Sequence, residues 1–253
     1  MNTRAWLALA VIAGCSSASG DPPAAPASRA AGPTRVPAAD QGPVVVELFT
    51  SQGCSSCPPA DRVLSALVRD GRVGDRAVVP LAFHVDYWND LGWADPFSQG
   101  AWSDRQRDYA AVHRSAQLYT PQLMVGGATD VLGSNARAVK AAIAAAPAPA
   151  RLDATIAWRA GAATVTATAP AGADAWVALY EDDVATRVVR GENAGATLRN
   201  DHIVRRLERI AAAGQAGTVE VALEPAWKHV GAVAFAQAAD RTIVASRALG
   251  ARP

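Results

Sequence analysis

No charge of either sign dominates this sequence. Its 24 Lys and Arg stand against 23 Asp and Glu, a net charge of +1, which offers no electrostatic footprint for nucleic acid or another acidic polymer. The N-terminus also lacks an apolar run long enough to cross a bilayer, for which roughly 20 residues are needed. Residues 5–12 are apolar, Arg4 precedes them and small residues follow, the pattern of an export signal. Cysteine is scarce too, with three in 253 residues. An odd count in an exported chain requires one cysteine with a separate fate.

Cys15 supplies that fate. Ile12-Ala13-Gly14-Cys15 resembles the lipobox of bacterial lipoproteins, which implies lipidation of Cys15 after removal of the preceding segment, and Ser16 after it implies the outer membrane. The membrane is then reached only through a lipid anchor. The remaining pair, Cys54 and Cys57, would face an oxidising cell envelope.

Residues 16–42 are rich in Ala, Pro, Ser and Gly without apolar periodicity, and read as a flexible tether. From 43 the Val-Val-Val run predicts a buried strand to residue 50. A helix is predicted over 58–70, with prolines in its first turn, an apolar stripe of Val63, Leu64, Leu67 and Val68, and Gly71 as its stop. A strand over 77–85 contains Pro80, which removes a ladder bond and predicts an edge or a bulge. A helix within 97–117, short strands over 122–125 and 129–132, and a helix capped by Ser134 complete a β-α-β-α-β-β-α order. Beyond Pro149, short alternating runs separated by Gly, Asp and Asn predict an antiparallel β-sandwich over 150–253. His202 to Ile210 fits either a strand or a helix, and is assigned to a strand from its surroundings.

The stretch VELFTSQGCSSCPPAD places CxxC where a strand gives way to a helix. Free N–H groups and the helix dipole stabilise a thiolate at such a position. Cys54 at the helix mouth is the expected nucleophile, and Cys57 one turn in is the expected resolving thiol. No organic cofactor is needed, because the cysteines themselves carry the electrons. Ser55 and Ser56 place no cation between them, so the direction of electron flow cannot be read.

The element order, the CSSCP stretch and Thr120-Pro121 resemble the thioredoxin fold over 43–149. That resemblance implies a cis Thr120–Pro121 bond against the CxxC, with both residues docking the substrate backbone. It further implies a buried acid near the end of the first strand as proton shuttle for Cys57, for which Glu47 is the candidate. The stretches PLAFHVDYW, YTPQ, RGENAG and HIVRRL also resemble a secreted bacterial family known as domain of unknown function 1223. That match implies a thioredoxin-like α/β domain joined to an all-β domain and brings no established activity.

The expected function is thiol–disulfide exchange on protein thiols or disulfides of the envelope. Two alternatives stay open. Cys54, Cys57 and a third ligand from His84, His113 or Met124 would suit Cu(I), although copper-delivery relatives usually separate their cysteines by three residues. A binding module with an inert Cys54–Cys57 staple is the other. Tyr87, Trp88, Trp93, Phe97 and Trp102 cluster in one insertion, as either a substrate platform or packing for their own domain.

Overall fold

A computed structural model describes residues 40–115 and 117–253. The expected signal segment (1–15), its Cys15 and nearly all of the tether (16–42) lie outside the described residues. The described residues belong to one compact unit, and no helix among them is long and apolar enough to cross a membrane.

Strand and helix alternate first: β1 (Val44–Thr50), α1 (Pro58–Asp70), the two-residue β2 (Arg72–Val73), β3 (Arg76–His84), α2 (Gly100–His113), β4 (Gln122–Val125), β5 (Thr129–Leu132) and α3 (Ala136–Ala145). Strands alone follow: β6 (Ala150–Arg151), β7 (Asp153–Arg159), β8 (Ala162–Thr168), β9 (Ala173–Asp182), β10 (Val184–Arg187), β11 (Thr197–Asn200), β12 (Ile203–Ala211), β13 (Ala216–Ala222), β14 (His229–Ala238) and β15 (Ile243–Ala251). Local chemistry sets the helix ends. Pro58 and Pro59 open α1 where no intrahelical N–H is required. Gly71, at φ 62°, closes it by donating to the Leu67 carbonyl at 2.9 Å. Leu64 and Leu67 are buried beneath α1, each contributing roughly 1.5–3 kcal/mol. The cap of α3 is Asn135 and not Ser134, since the Asn135 side chain accepts the Ala138 N–H at 3.1 Å.

Ten strands join one mixed sheet in the order β5-β4-β1-β3-β12-β9-β14-β15-β6, with β2 attached to β3. Pro80 therefore lies in an interior strand, in unbroken register with Val46, and not at the edge or bulge its ring predicts. The ladder to β12 explains why this is tolerated. Ala82 N–H points to that side and bonds the His202 carbonyl, and β12 pairs with β3 only at Ile203–Ala82. Two residues earlier, where Pro80 offers no N–H, β12 has not yet begun.

The sheet also runs across residue 150, where a domain boundary is expected, because β12 from the strand-rich half lies directly beside β3. That half packs a separate three-stranded layer, β13-β8-β7, over the large sheet, burying Ala163, Val165 and Val221 against Val177, Leu179 and Ala234. On the first half, Val46, Leu48 and Ala82 face α1 and α3. On the opposite face, Val45, Phe49 and Phe83 join Trp102 and Tyr109 of α2 with Val204, Val233 and Phe235 of the second half. A single helix thus covers the seam between the two halves.

Candidate functional site

The CxxC lies where β1 hands over to α1. After Thr50 the chain turns through Ser51-Gln52-Gly53, and the Cys54 N–H bonds the Ser51 carbonyl at 3.2 Å. Cys57 is the N-cap residue of α1, and its carbonyl accepts from Ala60 and Asp61. Both cysteines sit earlier than expected, with Cys54 in the turn before the helix. Both are free thiols and fully buried, while Ser55 and Ser56 are exposed.

Three polar side chains reach the Cys54 sulfur: the Cys57 thiol, the Ser56 hydroxyl at 3.2 Å, whose single hydrogen is shared between this sulfur and the Thr120 carbonyl, and the Thr120 hydroxyl, which donates at 3.3 Å. The Cys57 hydrogen bond is the largest influence, and together these hydrogen bonds overcome the cost of burial and bring the Cys54 pKa down to about 6. Cys57 moves the other way. Burial, and then the neighbouring Cys54, keep it protonated. A nucleophile that ionises and a partner that holds its proton are the asymmetry that disulfide exchange uses.

Two acids near the site are buried, Glu47 and Asp61. Strand alternation places Glu47 away from α1: Val45, Glu47 and Phe49 leave β1 on the α2 face, whereas α1 covers the other. Glu47 is held by Arg105 at 2.6 and 2.9 Å and by the Tyr109 hydroxyl at 2.7 Å, both on α2. Thr50, on the α1 face, donates instead to Asp61 at 2.8 Å. Burial raises the Asp61 pKa to about 6, and its charge in turn raises Cys57. The spacing Cys57–Asp61, one helical turn, was the available signal, but an acid in a first turn reads as an ordinary dipole partner.

Thr120 and Pro121 are joined by a cis bond, and Thr120 is brought against the CxxC: its carbonyl accepts from the Ser56 hydroxyl at 3.4 Å. Asp95, in the insertion after β3, accepts the Gln52 N–H at 2.7 Å and pairs with Nδ1 of His84 at 2.7 Å. Both groups are buried. Burial alone would push the imidazole down, but the Asp95 carboxylate prevails and raises it. Of the third-ligand candidates for copper, His84 pairs through Nδ1 with Asp95 and leaves its buried Nε2 without a hydrogen-bond partner, Nε2 of His113 bonds the Gly127 carbonyl at 3.1 Å, and Met124 is core. Among the described residues no three His, Cys, Asp or Glu side chains gather as a metal site.

Most of the insertion's aromatics pack inward. Trp102 meets Phe83 edge-on at 5.2 Å, Phe97 stands on His84 and beneath Arg205, and Trp93 reaches Gln52. Of these five only Tyr87, at 37%, is exposed. The RGENAG stretch also enters the site. It forms the tip of the β10–β11 hairpin, where the Glu192 carboxylate accepts the Ser55 N–H at 2.9 Å and the Asn193 amide donates to the carbonyls of Gln52 and Cys54.

The profile of a family described as a protein of unknown function, DUF1223, matches residues 45–237. The chain belongs to this family. The matched span begins in β1 and ends in β14, so the family unit includes the CxxC, Thr120-Pro121 and the hairpin tip together. A crystal structure of an Agrobacterium tumefaciens protein, a structural genomics target, is similar at 28% identity and a TM-score of 0.66, covering 83% of this chain and 95% of that one. No curated protein matches the chain.

Proposed function

We propose that this DUF1223 member is a thiol–disulfide exchange protein in which residues 43–149 act as a thioredoxin-like unit. The observation that carries the reading is the geometry of the pair, with Cys54 and Cys57 at the β1–α1 junction and the Thr120 hydroxyl, beside the cis Thr120–Pro121 bond, donating to the Cys54 sulfur at 3.3 Å, an arrangement in which Cys54 is drawn down and Cys57 is held protonated. In the reducing direction, the Cys54 thiolate attacks a client disulfide, forming a mixed disulfide and releasing one client thiolate. Asp61 accepts the proton of Cys57. The Cys57 thiolate then attacks the Cys54 sulfur, closing the Cys54–Cys57 disulfide and releasing the second client thiolate, so two electrons leave the protein. The oxidising direction is the reverse. Thr120 and Pro121 hold the client backbone beside Cys54. Because Cys54 has no exposed surface, a client must displace part of its cover. The clients are envelope proteins, with Cys15 carrying the lipid that keeps the exchange site at the membrane, a placement supported by the export-type N-terminus.

The test is the equilibrium reduction potential of the Cys54/Cys57 pair in a glutathione or dithiothreitol buffer, together with capture of mixed disulfides by a Cys57→Ser variant. A potential between about −120 and −270 mV, with captured clients, is expected. A potential below about −300 mV with no capture would mean an inert staple and overturn the reading.

A further inference from the structure

Trp88, in the loop after β3, points its indole N–H at the Thr120 hydroxyl at 2.9 Å. That hydroxyl in turn donates to the Cys54 sulfur at 3.3 Å. The two bonds depend on each other. An indole N–H can only donate, and a threonine hydroxyl has one hydrogen. Once Oγ1 accepts from Trp88, it is held with its hydrogen free for the sulfur. Without that anchor the hydroxyl can rotate toward backbone groups, the usual partners of threonine side chains. The loop geometry accommodates the indole, since a Cβ at Gly53, next to Cys54, would lie 3.2 Å from the Trp88 Cβ and 3.3 Å from its carbonyl oxygen. The close approach favours glycine there.

We propose that Trp88 is a positioning residue for Cys54: its N–H fixes the Thr120 hydroxyl as a donor to the sulfur and thereby holds the sulfur in its thiolate form. This rests on the exchange reading for its purpose, but not for its measurement. The other titratable groups around Cys54 are Cys57 and Asp61 from α1, Tyr87 from the insertion, and Glu192 through the Ser55 N–H. His84 and Asp95 lie behind them, through Asp61 and Gln52. Tyr87 and Cys57 also make side-chain hydrogen bonds with Thr120, but only the Trp88 indole N–H is confined to donating, so removing that N–H alone tests its effect.

The experiment is iodoacetamide alkylation of the reduced full chain as a function of pH, with Cys54 resolved from Cys15 and Cys57 by fragment mass spectrometry. In Trp88→Phe the half-titration point of Cys54 is expected to rise by about half to one pH unit, with a rate at pH 5, below the midpoint, about 3- to 9-fold lower and a rate at pH 7 less than about 2-fold lower. Thr120→Val is expected to move it the same way. Adding Trp88→Phe to Thr120→Val should change nothing more, because the relay is already cut. An unchanged midpoint in Trp88→Phe, or an equal further shift in the double variant, overturns the proposal. If the Phe variant fails to fold, benzothienylalanine at position 88 keeps the ring and removes only the N–H, with the same expectations. A wild-type midpoint near 9 would overturn the thiolate and with it the exchange reading, and is distinct from a failure of Trp88 alone.

Discussion

Asp61 is a carboxyl buried against Thr50, and its folded pKa of about 6 lies above its ordinary value of 3.8. A raised acid contributes stability that is fully present below its unfolded pKa and lost as pH rises through the folded one. Ionising Asp61 inside the fold therefore costs on the order of 2 to 4 kcal/mol by pH 8. Asp61→Asn is expected to raise stability at pH 8 by about that amount and to leave it near wild type at pH 4, as measured by urea unfolding. The same variant should slow the Cys57 step. An Asn variant less stable than wild type at pH 8 would contradict the assignment of burial as the cause. The position of this acid shows where reading the sequence stops. Cys54, Cys57 and Thr120-Pro121 were legible because their relation is local or carried by a motif. Asp61 was not, because only the packing of α1 tells a solvated first-turn acid from a buried one.

At the scale of elements, α2 carries the least obvious assignment. Its buried side chains include Ser103, Arg105 and Gln106 beside Trp102 and Tyr109, so no apolar stripe marks it, and its expected span of 97–117 shrinks to Gly100–His113. Arg105 binds Glu47 and also reaches Gln237 of β14 at 3.2 Å, tying the helix to both halves of the sheet. Removing one partner of a buried pair leaves an uncompensated charge. Arg105→Ala should cost about 3–5 kcal/mol in urea unfolding, while Arg105→Met with Glu47→Leu recovers most of it. Neither should move the Cys54/Cys57 reduction potential. A shift would return Glu47 to the redox chemistry. The ambiguity of β12 has an equally physical origin. Register shifts between Val204 and Arg206 and between Arg209 and Ala211 interrupt the period of two, and the residues drift into a spacing that imitates a helix. Short unbroken strands such as β4 and β5 carry no such interruption, and their bounds coincide with those the sequence predicts.

For the whole molecule, the seam between β3 and β12 binds the halves into one body. Residues 40–149 alone would leave β3 as an unpaired edge and strip Val204, Val233 and Phe235 from the face under α2, which is a surface prone to aggregation. That fragment is expected to elute as oligomers or to precipitate, whereas the whole chain should not, and size-exclusion chromatography distinguishes the two. A monomeric, cooperatively folding fragment would mean that the seam is dispensable. The sequence could not show this seam, because its signals are local and β12 meets β3 more than a hundred residues away.

The contact of Asn193 with Cys54 spans 139 residues. Synthesis runs from the N-terminus, so both thiols leave the ribosome long before the hairpin that clasps their turn exists. A contact of such sequence separation also forms slowly, after local elements. The reactive pair therefore has a youth without its guard, in which the surrounding redox conditions and any passing thiol act on it directly, and the tip of RGENAG is the piece whose arrival ends that exposure.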